Sequence, residues 1–515
     1  MPKRPLAALS LLAALALPAA AQKLGTLDFP TSGTADAQAH FVTGVLYLHS
    51  FEYPSALKEF REAERIDPQF AMAYWGEAMT YTHPVWDQQD AAAARAALAK
   101  LAPTPAARLA KAPTDREKAY LRAVDILYGT GTKPGRDTAY AAAMADVAAK
   151  YPRDAEAQLF YALALIGLSQ GDRNIPTYLR AGAIAETVFV HQPDHPGAAH
   201  YVIHAYDDPA HAATALSAAR AYSKIAPDAP HAQHMTSHIF LALGLWDDVV
   251  AANIAATGGH MPGHDMKTGC GHYKEWLEYG YLQLGRLRDA AFVLDRCWDA
   301  PPKANVSGVE SLAGMRDAYI VDSRQWTGRF ATEEPVSTDP ATQAYVAFGT
   351  GYAAAMRHDL PAARRALEIV ERDAKTKPAS SDHYTPILAL ELRALVRLAD
   401  GDTARAIADV RSAAALDDAL PFPFGPPQTI KPPHELLGEF LLATHHPADA
   451  RTEFELALAR TPRRPAALIG LAQAQSALGE EAKAAQTYTL ILQIWHIADP
   501  DLPDLEAART GAAHE

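Results

Sequence analysis

Eleven of the 21 histidines of this 515-residue chain fall between positions 191 and 272. Imidazole changes charge near neutral pH and ligates zinc, copper, nickel and iron, so a concentration of it is a candidate metal centre. Two pairs, His200/His204 and His234/His238, have i, i+4 spacing, which on a helix puts both rings of a pair on one face. The alternative is a set of polar residues satisfied within a core. No HExxH motif occurs anywhere in the chain, which excludes the common zinc-protease arrangement. Asp207 and Asp208, close after His204, and Glu77 are the acidic residues that could serve as acid, base or outer-sphere partner.

These side chains must be positioned by a scaffold, and the composition says which kind. The chain is alanine-rich, 49% hydrophobic, and almost without β-branched runs, so an all-α fold is expected. Positions 1–21 have a basic start at Lys3 and Arg4, an apolar stretch and small residues at Ala19 and Ala21, the pattern of a secretory signal peptide. A periplasmic or secreted protein is therefore expected. No later stretch is long and apolar enough for a membrane span. The formal charge of −13 argues against nucleic acid or an anionic membrane as partner.

A 34-residue period organises most of the remaining chain. From Ala37, residues Gly44, Tyr47, Ala56, Phe60, Ala63 and Pro68 fall at the offsets G-x2-Y, A-x3-F and terminal P. From Lys431, residues Gly438, Ala450, Phe454, Ala457 and Pro462 repeat the pattern. The chain thus resembles tetratricopeptide repeat (TPR) proteins, of an exported bacterial type of unassigned function. The resemblance implies a right-handed α-solenoid of about ten to twelve helical hairpins. We divide the chain into a signal peptide (1–21), N-terminal repeats (22–150), central histidine-rich repeats (151–300), degenerate repeats (301–430) and C-terminal repeats (431–515). Proline-rich stretches at 103–113, 301–308, 331–340 and 421–433 should be irregular, the last lying across the array.

In such repeats, positions 2, 5, 9, 12 and 13 of the first helix face the concave groove, as the resemblance implies. Units starting at Pro196, Pro230 and Gly271 then place His200 and His204, His231, His234 and His238, and His272 on one concave wall. Adjacent first helices about 10 Å apart would let His200, His204, His234 and His238 surround one ion, with zinc or copper favoured. Asp207 would fix a tautomer. The same register puts Trp75 and His83 at one end of the groove with Trp86 nearby, and Glu435 and Glu439 at the other as an acidic stretch. Cys270 and Cys297 lie at the two ends of one hairpin, so a disulfide is expected, with a Cys270 thiolate ligand as the alternative. His260 and His264 ride a glycine-rich insertion, while His191, His195 and His211 sit at turns. Two functions follow. One is a scaffold that binds a protein or peptide of the cell envelope in its groove and carries a transition-metal site. The other is a metal-dependent enzyme or metal carrier on the same histidines.

Overall fold

The computed structural model describes residues 22–169, 173–259, 266, 269–299, 306–376 and 383–513. The segment read as a signal peptide and the inserted His260 and His264 lie outside the described residues. Antiparallel helix pairs follow one another from Ala35–His49 with Tyr53–Ile66 to Pro465–Ala477 with Glu481–Ile494. This is a TPR-like α-solenoid. The only strands among the described residues are the short antiparallel pair Thr82–His83 and Gln88–Gln89.

The repeat residues act by close packing. Phe60 on the second helix of its hairpin lies so near Gly44 and Gly76 that an added Cβ would come within 2.7 and 2.3 Å of its ring. Phe454 stands in the same relation to Gly438 and Gly470, at 2.8 and 2.1 Å. One aromatic ring thus keys each hairpin to the next, and only glycine leaves room for it. The stretches where the repeat pattern is poor are helical too, including Asp115–Leu127, Lys133–Lys150 and Val306–Ser323. The short helix Pro105–Leu109 interrupts the expected 103–113 connection, and 301–305 lies outside the described residues.

The array closes on itself. Lys23 and Thr26 donate backbone hydrogen bonds to the Asp228 carboxylate and the Asp194 carbonyl, fastening the N-terminal strap to the central repeats. At the other end, the Trp246 indole donates to the Arg463 carbonyl at 3.0 Å, and the Asp499 amide donates to the Gly285 carbonyl at 3.0 Å. Residues 421–432 are irregular, as their prolines require, and cross the concave side. Gly425, at φ +94°, lies against Trp276 so closely that a Cβ would come within 2.4 Å of the indole. That segment thus covers the inner face of the central repeats around Trp276.

Cys270 and Cys297 form a disulfide with Cα atoms 4.4 Å apart, and the Gly269 amide donates to the Arg296 carbonyl beside it. The crosslink ties the start of helix His272–Gln283 to the end of Leu287–Trp298 across 27 residues. Replacing Cys297 by serine should lower stability by about 3 kcal/mol, the effect expected of a loop of this size. Denaturant midpoints with and without reductant check this: reduced wild type and variant should coincide.

Candidate metal centre

Three consecutive first helices, Pro196–Ala205, Pro230–Ala242 and His272–Gln283, carry the histidines. Proline opens the first two, where its fixed φ suits a helix start and its missing N–H leaves nothing unsatisfied. His200, His204, His231, His234 and His238 are buried on the inner faces, and His272 is open to a cleft.

The six rings fall into two sets of three, His200/His204/His231 and His234/His238/His272, whose candidate ligand atoms lie within 4.8 Å of one another. The single four-histidine shell expected from the register is therefore not the arrangement found. The cause is the stagger between hairpins. Ring centroids of His204 and His238, which occupy equivalent positions, are 6.2 Å apart, whereas His231 comes within 5.1 Å of His200 and His272 within 4.6 Å of His234. A position-2 ring thus sits level with the position-5 ring of the preceding unit. The two sets are related by the repeat itself: positions 5 and 9 of one unit with position 2 of the next.

Hydrogen bonds fix how the imidazoles face. The Asn253 amide nitrogen donates to the Val249 carbonyl, which turns its oxygen towards His234 Nδ1 at 2.7 Å. The Asp207 carboxylate lies 2.6 Å from His238 Nδ1. Each Nδ1 thus has a partner of its own, which turns the two Nε2 atoms towards one another, 3.2 Å apart. Two ligands about 2.0–2.1 Å from a tetrahedral ion would be about 3.3 Å apart. In the other set, His200 Nδ1 donates to the His49 carbonyl at 2.6 Å, which leaves its Nε2 bare. His200 Nε2, His231 Nε2 and both nitrogens of His204 are buried without a hydrogen-bond partner among the described residues. Unsatisfied buried imidazole nitrogens are costly, and a cation would satisfy them.

The charge state fits. Burial first, then the neighbouring imidazoles, hold His200, His204, His231 and His234 well below the usual histidine value and bring His272 down to about 4. At neutral pH these rings are uncharged and need lose no proton to take a metal.

A third buried cluster escaped the sequence reading. His49 Nε2 and His195 Nε2 lie 2.7 and 2.9 Å from the two oxygens of Glu156, and His49 Nδ1 lies 2.8 Å from the Tyr201 hydroxyl. Although burial raises it, the two imidazoles beside it bring the Glu156 carboxyl down to about 2. His195, read as a turn residue, is fully buried here. Because Glu156 engages both rings, the cluster's role is to hold His49, whose carbonyl orients His200. His49 occupies groove position 13 of the first repeat, and that was the available signal.

The remaining expected site residues separate. Trp75 is core, packed edge-on to Phe29, Tyr120 and Phe160. Glu77 is taken by Lys100 and Arg61, away from the histidines. His83 stacks on Tyr53 at 3.9 Å. Glu435 is fully buried between Arg464 and Lys431, and Glu439 pairs with Lys431 at 2.6 Å. The acidic groove expected there is instead an internal ion cluster, because the C-terminal repeats pack against the central ones. Asp208 pairs with Arg173 and His211.

Two cavities meet at His272. An open cleft of about 650 Å³ has His231, His272, Tyr53, His83, Trp86 and Tyr273 among its lining. Behind it a cavity of about 250 Å³ is bordered by Glu275, Trp276, Glu278 and Phe424. Burial, then Glu310, pushes the Glu275 carboxyl up to about 7. A raised carboxyl keeps its proton when folded after the unfolded chain has lost it, so its cost grows from pH 4.5 to 7 and then levels. Glu275→Gln should match wild type in stability below pH 4.5 and exceed it by up to about 2 kcal/mol above pH 7. Thermal melts across this range check the sign.

No family model matches the chain, and no curated protein matches it. Among solved structures it is similar to yeast Tom70, at 10% identity over 93% of this chain and 95% of that one, with a TM-score of 0.30. It is also similar to the human IFIT1 dimer with m7Gppp-AAAA, at 13% identity over 91% of each chain and a TM-score of 0.35. A third is the P58(IPK) TPR domain, at 14% identity over 93% and 98% and a TM-score of 0.23. The hairpin pattern of the chain itself carries the structural conclusion: the protein has a TPR-like helical-repeat fold.

Proposed function

We propose that this is an exported metalloprotein in which a TPR-like scaffold holds a transition-metal ion, zinc or copper by ligand type, between His234, His238 and His272. The observation that carries the reading is the pair of Nε2 atoms 3.2 Å apart, each aimed by a partner on its own Nδ1. His200, His204 and His231 form the same motif one repeat earlier. Neutral imidazole sets suit zinc and copper. The basic and apolar pattern of positions 1–21 and the Cys270–Cys297 disulfide support a periplasmic or secreted location.

Elemental analysis of protein purified without a histidine tag tests this. At least one equivalent of zinc or copper should survive desalting, and the N-terminus of exported protein should be Gln22. Metal-free protein that takes up neither ion at micromolar concentration would overturn the reading.

A helical-repeat scaffold also suits binding of a protein in the cell envelope. Enzymatic use of the metal is favoured by one observation. Three protein ligands leave a coordination position open, and His231 and His272 reach a common cleft.

A further inference from the structure

We infer that the cleft beside His231 and His272 binds a planar aromatic anion of the phenolate or catecholate class, with its oxygen on the metal and its ring against Trp86. The inference rests on the metal reading above and adds the ligand.

Three independent features point to it. First, His272, the exposed member of its set, lines the cleft, so an ion held with His234 and His238 faces it with an unfilled position. Second, the three imidazoles bring no negative charge of their own and the one carboxylate behind them, Asp207 on His238 Nδ1, offsets only part of a divalent ion's charge, so an anionic oxygen donor at the open position completes it.

Third, the wall next to His231 is a continuous set of rings. Phe51 stacks on Tyr53 at 5.6 Å and 11°, Tyr53 stacks on His83, and Trp86 meets Phe51 and His231 edge-on at 5.6 and 6.0 Å. Trp86 is 47% exposed, more than any other tryptophan or phenylalanine among the described residues. The strand pair Thr82–His83 and Gln88–Gln89, turning through left-handed Asp87, holds it at the cleft mouth. A large apolar ring fixed in water beside a metal site is a surface waiting for another ring. The volume suits a ligand of one to three fused rings.

The probe is 4-nitrocatechol, whose visible absorption shifts when its oxygens bind a metal. It is titrated into the zinc-loaded full chain, with zinc measured before and after desalting. Wild type should give a saturable shift while retaining its zinc. Trp86→Ala should weaken binding at least tenfold with zinc content and helicity unchanged, and Trp86→Phe should recover most of the loss. Full zinc loading with no shift would overturn the inference, as would equal affinity in wild type and Trp86→Ala, or a shift that appears only as zinc is stripped from the protein. Absence of zinc from every sample would instead refute the metal reading on which it rests.

Discussion

Replacing His234 and His238 by alanine should remove much of the stabilisation that zinc gives the protein. A ligand that binds only the folded state adds RT ln(1 + [L]/Kd), about 4 kcal/mol at a thousandfold excess over Kd. Wild type should therefore gain about that much with zinc in a denaturant titration, and the double variant clearly less, with only the His200, His204 and His231 set left to bind the ion. Two of the three imidazoles of one set are lost, while helix Pro230–Ala242 keeps its proline start and its apolar residues Met235 and Ile239. Asp207→Ala is the graded companion. It leaves every imidazole in place but frees the His238 ring from its 2.6 Å partner, and such losses typically cost 10–100-fold in metal affinity. A double variant that still gains the full increment would place the ion elsewhere.

The second large effect concerns Arg464, which has no solvent exposure. Its guanidinium donates to Glu435 at 2.7 Å, to the Tyr279 hydroxyl at 3.1 Å and, through two nitrogens, to Asp322. Lys431 completes the cluster by donating to Glu435 and Glu439 at 2.6 Å each. Against burial, Arg464 and Lys431 bring the Glu435 carboxyl down to about 2. One cation thus joins the central repeats, through Tyr279, and the degenerate ones, through Asp322, to the C-terminal repeats. Arg464→Ala would leave Asp322 without its cation and Glu435 with Lys431 alone, and should cost about 3–5 kcal/mol. In a background where Asp322 and Glu435 are already Asn and Gln, the same change should cost much less. Equal costs in both backgrounds would mean that packing, not charge, is lost. The urea transition of the single variant should also broaden or split as the C-terminal repeats uncouple from the rest.

The parts legible in the sequence are those set within one repeat. Gly44, Phe60 and Pro68, with Gly438, Phe454 and Pro462, encode hairpin packing at fixed offsets, and the same ruler placed six histidines on three inner faces. Stagger between hairpins was not legible, because a 34-residue period says which face a residue takes but not what lies level with it. His231 and His272 therefore joined the preceding pairs, and the four-histidine shell gave way to two sets of three. Closure was hidden for a similar reason. Arg464 meets Asp322 across 142 positions and His49 meets Glu156 across 107, distances no local pattern spans. Glu435 was expected in an acidic stretch of the groove, and here the chain's own repeats cover it.

The most direct measurement is anomalous X-ray diffraction at the zinc or copper edge from crystals of tag-free, metal-loaded protein. The expected result is a peak about 2 Å from the Nε2 atoms of both His234 and His238, with a second among His200, His204 and His231 when the ion is in excess. Peaks confined to surface histidines such as His445 or His496, or none at all, would contradict a metal centre built into the repeats.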